Sequence, residues 1–216
     1  MTASTPITFY FDPVSPYAWL AMEQVDRIIA AGGQLNCRPI LFAALLNTYG
    51  TKGPAEIPVK RAYVFRDVMR QAQQLGLPFR GPPSHPFNPL AALRAMHTVE
   101  DGTQRLAMAR SLLAAAWRDG IDIADPHRLH DVLANNGFDA DAISAASGSP
   151  EVKQRLRDTT QQAIDTGVFG VPTFLLLGEL FWGADRVDAV IWALKGGAID
   201  ETLYRDALAR PAGAQR

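Results

Sequence analysis

The spacing of apolar positions changes character twice along the chain and divides it into three parts. Ile7 to Phe11 is a short apolar run and predicts a strand. From Pro16 to Ala31 the pattern is helical until Gly32-Gly33 stops it, and Leu35 to Leu41 predicts a second strand. This βαβ order favours a parallel pair joined by a right-handed crossover. From 43 to 167 strand signals disappear. A helical stripe over Lys60–Leu75 puts Phe65, Val68, Met69, Ala72 and Leu75 on one face, and Gly76 with Pro78 ends it. Further helices are predicted over 89–100, 104–118, 126–135, 139–146 and 150–166. Strand character returns at Thr173–Leu177 and Leu180–Trp182, with Gly178-Glu179 as the link of an antiparallel hairpin. A last amphipathic helix over Arg186–Lys195 closes at Gly196-Gly197, and the small, polar residues 209–216 predict a fraying tail.

The order βαβ, helical block, ββα predicts one sheet split in sequence. The chain has 216 residues, enough for a substantial core, and 48% hydrophobic with 20% charged residues is ordinary for a globular protein. A net charge of −1 gives no electrostatic case for nucleic acid or an anionic membrane. Apolar runs break too early for a transmembrane span, and Met1–Pro6 lacks the regions of a signal peptide, so a cytoplasmic location is expected. Cys37 is the single cysteine, which excludes an intrachain disulfide, and it reads as a small core residue. His85, His97, His127 and His130 form no metal-ligand spacing, and no metal site is predicted.

Candidate chemistry centres on Phe9-Tyr10-Phe11-Asp12-Pro13-Val14-Ser15-Pro16-Tyr17, where strand gives way to helix. A helix N-terminus offers unpaired N–H groups that stabilise an anion, and the Ser15 hydroxyl stands there. Many redox proteins carry Cys-x-x-Cys at this junction. Here it reads Ser15-Pro16-Tyr17-Ala18, a place suited to thiolate chemistry without a thiol. Ser15 also fits a plain cap, because Ser15-Pro16, Asn88-Pro89, Asp125-Pro126 and Ser149-Pro150 all pair an N-cap residue with proline at the first helical position. The two roles are compatible. Far downstream, Gly170-Val171-Pro172-Thr173 places a Val-Pro step before a strand and suggests a rigid turn with a cis peptide. Junction, helical block and Val-Pro hairpin together have the layout of an α/β, thioredoxin-like fold with an inserted all-helical domain. The expected division is 1–42 with 168–205 for the thioredoxin-like part and 43–167 for the insertion.

At these residues the chain resembles the family of kappa-class glutathione transferases and 2-hydroxychromene-2-carboxylate isomerases. The resemblance is carried by Phe9-Tyr10-Phe11-Asp12 with Ser15-Pro16-Tyr17, by Phe169-Gly170-Val171-Pro172-Thr173, by Trp182-Gly183-Ala184-Asp185-Arg186, and by the loop Gly50-Thr51-Lys52-Gly53-Pro54. It implies that glutathione brings the thiol as cofactor. Ser15 would donate to its sulfur as the catalytic residue, with the helix N-terminus lowering the thiol pKa. Val171 would offer backbone groups to the cysteinyl part like an added strand. Ala184 and Asp185 would hold the γ-glutamyl end, and Thr51 would touch the tripeptide. Tyr17, Asn47 and Asn88 are the implied substrate-facing residues, and a homodimer is implied as well. Several of these have a second reading: Asp185 with Asp188 as the cap of the last helix, Asn88 as a cap, Tyr17 as packing, and Arg186 as a carboxylate's partner. Relatives carry a lysine near Leu46-Asn47; Lys52 and Arg38 are the substitutes this chain offers.

The implied activity is that of a glutathione-dependent isomerase acting on a small aromatic-degradation intermediate. The alternative is a kappa-like transferase that consumes glutathione on an electrophile. A disulfide oxidoreductase would need a cysteine at the junction, where Ser15 and Ala18 stand. A non-enzymatic glutathione-binding protein would keep the fold without turnover.

Overall fold

The computed structural model describes residues 4–213. A single four-stranded sheet forms from β1 (Thr5–Phe11), β2 (Gly33–Pro39), β3 (Thr173–Leu176) and β4 (Glu179–Trp182), in the order β2-β1-β3-β4. β1 pairs parallel with β2 and antiparallel with β3, and β3 with β4 is an antiparallel hairpin. Because β1 is central and covered on both faces, its apolar run is nearly unbroken: Ile7, Phe9 and Phe11 are fully buried, and Tyr10 is buried on the other side. Strands from both ends of the chain thus share one sheet.

Between β1 and β2 lie α1 (Pro16–Met22) and α2 (Val25–Ala30), a break at Glu23-Gln24 where the periodicity predicts one helix. β2 also begins earlier than expected. The hairpin turn is Leu177-Gly178, both with positive φ, so β4 starts at Glu179. This is the backbone twist that a two-residue hairpin requires.

The helical block comprises α3 (Phe42–Thr48), α4 (Pro58–Gln74), α5 (Leu90–His97), α6 (Gly102–Trp117), α7 (Pro126–Asn135), α8 (Ala140–Ser147) and α9 (Pro150–Asp165), followed after β4 by α10 (Val187–Leu194) and α11 (Glu201–Leu208). Neither α3 nor α11 is anticipated by the sequence pattern. On α4 the buried stripe is Val64, Val68 and Ala72, while Met69 and Leu75 are exposed, a rotation of the expected face. One apolar cluster runs from Phe9 and Phe11 through Trp19 to Leu112, Trp117 and Leu133. The smaller cluster of Tyr10, Ile40, Leu45 and Val171 fills the opposite side of the sheet. Among the described residues no helix is long and apolar enough to cross a membrane.

Candidate active site

β1 delivers the chain into a junction whose backbone is held from several sides. The Asp12 carboxylate accepts from the Val14 N–H through Oδ1 and from the Phe42 N–H through Oδ2, both at 2.9 Å. It therefore ties the junction to the first residue of α3. The Pro13 carbonyl accepts from the indole N–H of Trp117 at 2.9 Å. The Val14 carbonyl accepts from His85 Nε2 at 3.0 Å, which assigns the proton to that nitrogen. The His85 ring sits edge-on to Trp117 and Phe65, and its burial lowers the imidazole pKa. Three consecutive residues before Ser15 are thus pinned, two of them by side chains of the helical block.

Ser15 is buried and caps α1: its Oγ accepts from the Ala18 N–H at 3.3 Å. The same hydroxyl donates to the Val171 carbonyl, 156 residues away, at 3.4 Å. That is long for an O–H···O bond, so the proton is held weakly and can turn to another acceptor. The Val171-Pro172 peptide is cis, as the Val-Pro step suggests. Thr173 Oγ1 donates to the Gly170 carbonyl at 2.7 Å and steadies this turn. Gly170 has no room for a side chain, because a Cβ would stand 2.5 Å from Trp182 Nε1. The Pro172 carbonyl accepts from the Gly183 N–H at 2.9 Å, which draws the Gly183-Ala184-Asp185 loop onto the cis-proline turn. Gly183 has φ of 124°, a conformation that side chains resist.

Ser15, Tyr17, Val171, Ala184 and Asp185 are therefore gathered at one place, since the 184–186 turn packs against α1 and the Asp185 charge reaches Tyr17. The N–H groups of Tyr17, Val171 and Ala184 have no acceptor among the described residues. The Tyr17 hydroxyl donates to Asp67 on α4 at 2.9 Å, and burial together with Asp67 raises its pKa. Tyr17 is thus more than packing, but its hydroxyl is already engaged. Asp185 does not cap α10; its carboxylate pairs with Arg186 next to it, and Asp188 pairs with Arg27. Asn88 accepts from the Leu90 N–H at 3.1 Å in a turn before α5, but the N-cap position is Pro89 and carries no side-chain cap. The expected Asn88 cap with proline as the first helical residue is therefore not formed. Asn47 is exposed on α3 and Thr51 lies in the loop beyond it, its N–H bonded to the Leu46 carbonyl. No bond among the described residues joins Asn47, Thr51 or Asn88 to the Ser15 group. Arg38 lines a separate cavity with Cys37 and His97. Cys37 is fully buried, which pushes its thiol up to about 12 and leaves it unreactive at neutral pH.

Asp12, His85 and Trp117 are the residues that sequence reasoning leaves out. Asp12 stands inside the quoted motif, and a carboxylate in an apolar run is itself a signal of a special role. Nothing local marks His85 or Trp117. Burial raises the Asp12 carboxyl to about 7, against the lowering by its two N–H bonds. A carboxyl raised above its unfolded value contributes stability that is present below about pH 4 and is lost as pH rises through about 7. Urea midpoints of Asp12→Asn and the parent, measured at pH 5 and pH 8, should show the parent losing stability relative to the variant across this interval. Parallel pH profiles would remove Asp12 as the titrating group.

Residues 6–195 match the DSBA-like thioredoxin domain family. The 2-hydroxychromene-2-carboxylate isomerase of Sphingobium xenophagum is 30% identical over 185 residues, covering 84% of this chain and 94% of that protein. Glutathione S-transferase kappa 2 of Caenorhabditis elegans is 28% identical over 200 residues, covering 85% and 89%. A solved structure of 2-hydroxychromene-2-carboxylate isomerase superposes with a TM-score of 0.82 at 26% identity, covering 95% of this chain and all of that one.

Proposed function

Because the chain belongs to the DSBA-like thioredoxin family, among its 2-hydroxychromene-2-carboxylate isomerases and kappa-class glutathione transferases, we propose that it is a glutathione-dependent isomerase. One observation carries this reading: a weakly held serine hydroxyl faces a cis-proline turn at the strand-to-helix junction, and the Tyr17, Val171 and Ala184 N–H groups of the same cluster have no acceptor among the described residues. Such a group suits a ligand with a thiolate and several acceptor oxygens.

When bound, glutathione supplies the thiolate that adds reversibly to a conjugated carbon of an aromatic-degradation intermediate. Ser15 Oγ donates to the sulfur, exchanging its long bond to Val171 for a charge-assisted one. The Tyr17 N–H adds a further donor at the start of α1. This helix has seven residues, so its first-turn N–H groups matter more than its dipole. Val171 presents backbone N–H and C=O to the cysteinyl unit in the manner of an added strand. The Ala184 N–H takes the γ-glutamyl carboxylate and the Asp185 carboxylate its ammonium, with Thr51 at the tripeptide's edge. Tyr17, Asn47 and Asn88 would face the second substrate. The same reading takes the protein as a cytoplasmic homodimer, with 43–167 as an insertion that shapes this second pocket.

The kappa-like transferase reading is favoured by one feature. Neither cation expected to replace the relatives' lysine bonds to the Ser15 group among the described residues: Arg38 lines another cavity and Lys52 is exposed. The cation that does bond there, Arg186, is paired with Asp185. The two activities separate on thiol balance. With 2-hydroxychromene-2-carboxylate and substoichiometric glutathione, the isomerase should complete many turnovers with free thiol unchanged. Thiol lost one for one with an electrophile would identify a transferase, and turnover independent of glutathione would overturn both.

A further inference from the structure

A cavity of about 170 Å³ lies between β2, α5, α6 and α9, and it shares no residue with the Ser15 group. Three arginines line it, together with Asp158: Arg38 from β2, Arg105 from α6 and Arg155 from α9. Arg105 donates only to backbone carbonyls at the end of α5, through Nη2 to Val99 at 2.5 Å and to Glu100 at 3.3 Å, and through Nε to Met96 at 3.4 Å. Arg155 donates to the His97 carbonyl at 3.4 Å and to the Glu100 carboxylate at 3.0 Å. These bonds hold two guanidiniums in place, and among the described residues no carboxylate hydrogen-bonds to Arg105, on which Asp101 acts only through space. Arg38 is half-buried and has neither a hydrogen bond nor an ion pair among the described residues.

The acids near the three cations keep their charge but bond elsewhere than to Arg38 or Arg105. Glu100 pairs with Arg155, Asp158 on the wall accepts from Gln154 at 2.7 Å, and Asp101 accepts from the Gln104 N–H at 2.8 Å, so among the described residues no carboxylate bonds to Arg38 or Arg105. His97 donates from Nε2 to the Pro39 carbonyl at 2.9 Å, and burial with the three arginines pushes its pKa down to about 4, so it adds no charge at neutral pH. Burial above all, with the charges of Arg38 and Arg155 opposed by Asp101, lowers the proton affinity of Arg105. A folded chain that converges guanidiniums on a cavity gains most from an anion that accepts from several forks at once.

We propose that this cavity is a binding site for a small tetrahedral oxyanion, of the phosphate or sulfate class, with Arg38 as its principal free donor. A tetrahedral ion can accept from donors on three sides, as the placement of the arginines on three elements requires. Nothing in the site asks for a thiol or a conjugated system, so its ligand differs in kind from that of the Ser15 group.

Calorimetric titration of the full chain with inorganic phosphate, in a low-chloride buffer of low ionic strength, tests the assignment. One saturable site per chain is expected, weakened about tenfold or more by Arg38→Gln. Binding should survive Ser15→Ala and saturating glutathione. Arg38→Gln removes no bond of the fold, and its circular dichroism and urea midpoint verify that it is intact; Arg38→Ala, checked the same way, provides a second variant. Heats of dilution alone, equal affinity in folded Arg38 variants, or competition with glutathione would each overturn the site.

Discussion

Replacing Ser15 by alanine should raise the pKa of bound glutathione by about one to two units, because a hydrogen bond to a charged group is worth about 1.5–3 kcal/mol. Turnover at neutral pH should fall about tenfold to a hundredfold as the thiolate becomes scarce. Thiolate absorbance against pH measures the first quantity and steady-state kinetics the second. Ser15 also caps α1 through the Ala18 N–H, so the variant should lose about 1 kcal/mol of stability. Asp125→Ala separates the two effects. Asp125 caps α7 with the same geometry, accepting from the Arg128 N–H at 2.9 Å, and its loss should cost similar stability without moving the thiol pKa. If Ser15→Ala leaves both pKa and turnover at parent values, Ser15 has no part in the mechanism.

Trp117→Phe should have the largest effect on stability of the substitutions considered, about 2–4 kcal/mol. The indole is fully buried, so its replacement leaves a void in the core, and the Pro13 carbonyl loses its donor. A denaturant midpoint shifted by this amount at constant slope would report it. The residue does not touch the proposed ligand, yet it fixes the backbone two residues before Ser15. A fall in kcat with little change in KM would mark a displaced Ser15; a purely structural role would leave kcat unchanged in the folded variant.

The parts of the fold legible in the sequence are those with local causes. β1 is an apolar run because it is the central strand, and Asp125-Pro126 and Ser149-Pro150 start α7 and α9 by side-chain caps that the sequence displays. α11 had such a signal as well, since Asp200 accepts from the Thr202 and Leu203 N–H groups. α3 had none. Its first N–H is satisfied by Asp12, thirty residues earlier, and no pattern near Phe42 reports that bond. The break between α1 and α2 likewise lacks a glycine or proline to announce it.

The same division runs through the candidate site. A serine where a redox protein carries cysteine, a lone Cys37 elsewhere, and a Val-Pro step before a hairpin are facts of the sequence, and with the family resemblance they suffice to suggest an imported thiol. Only the folded chain decides that the Ser15 hydroxyl meets the Val171 carbonyl, that Tyr17 is engaged with Asp67, and that Arg38 faces a different cavity altogether. Periodicity and capping act within a few residues and are written locally. Contacts across the sheet depend on strand order and register, which arise only when distant apolar runs bury one another.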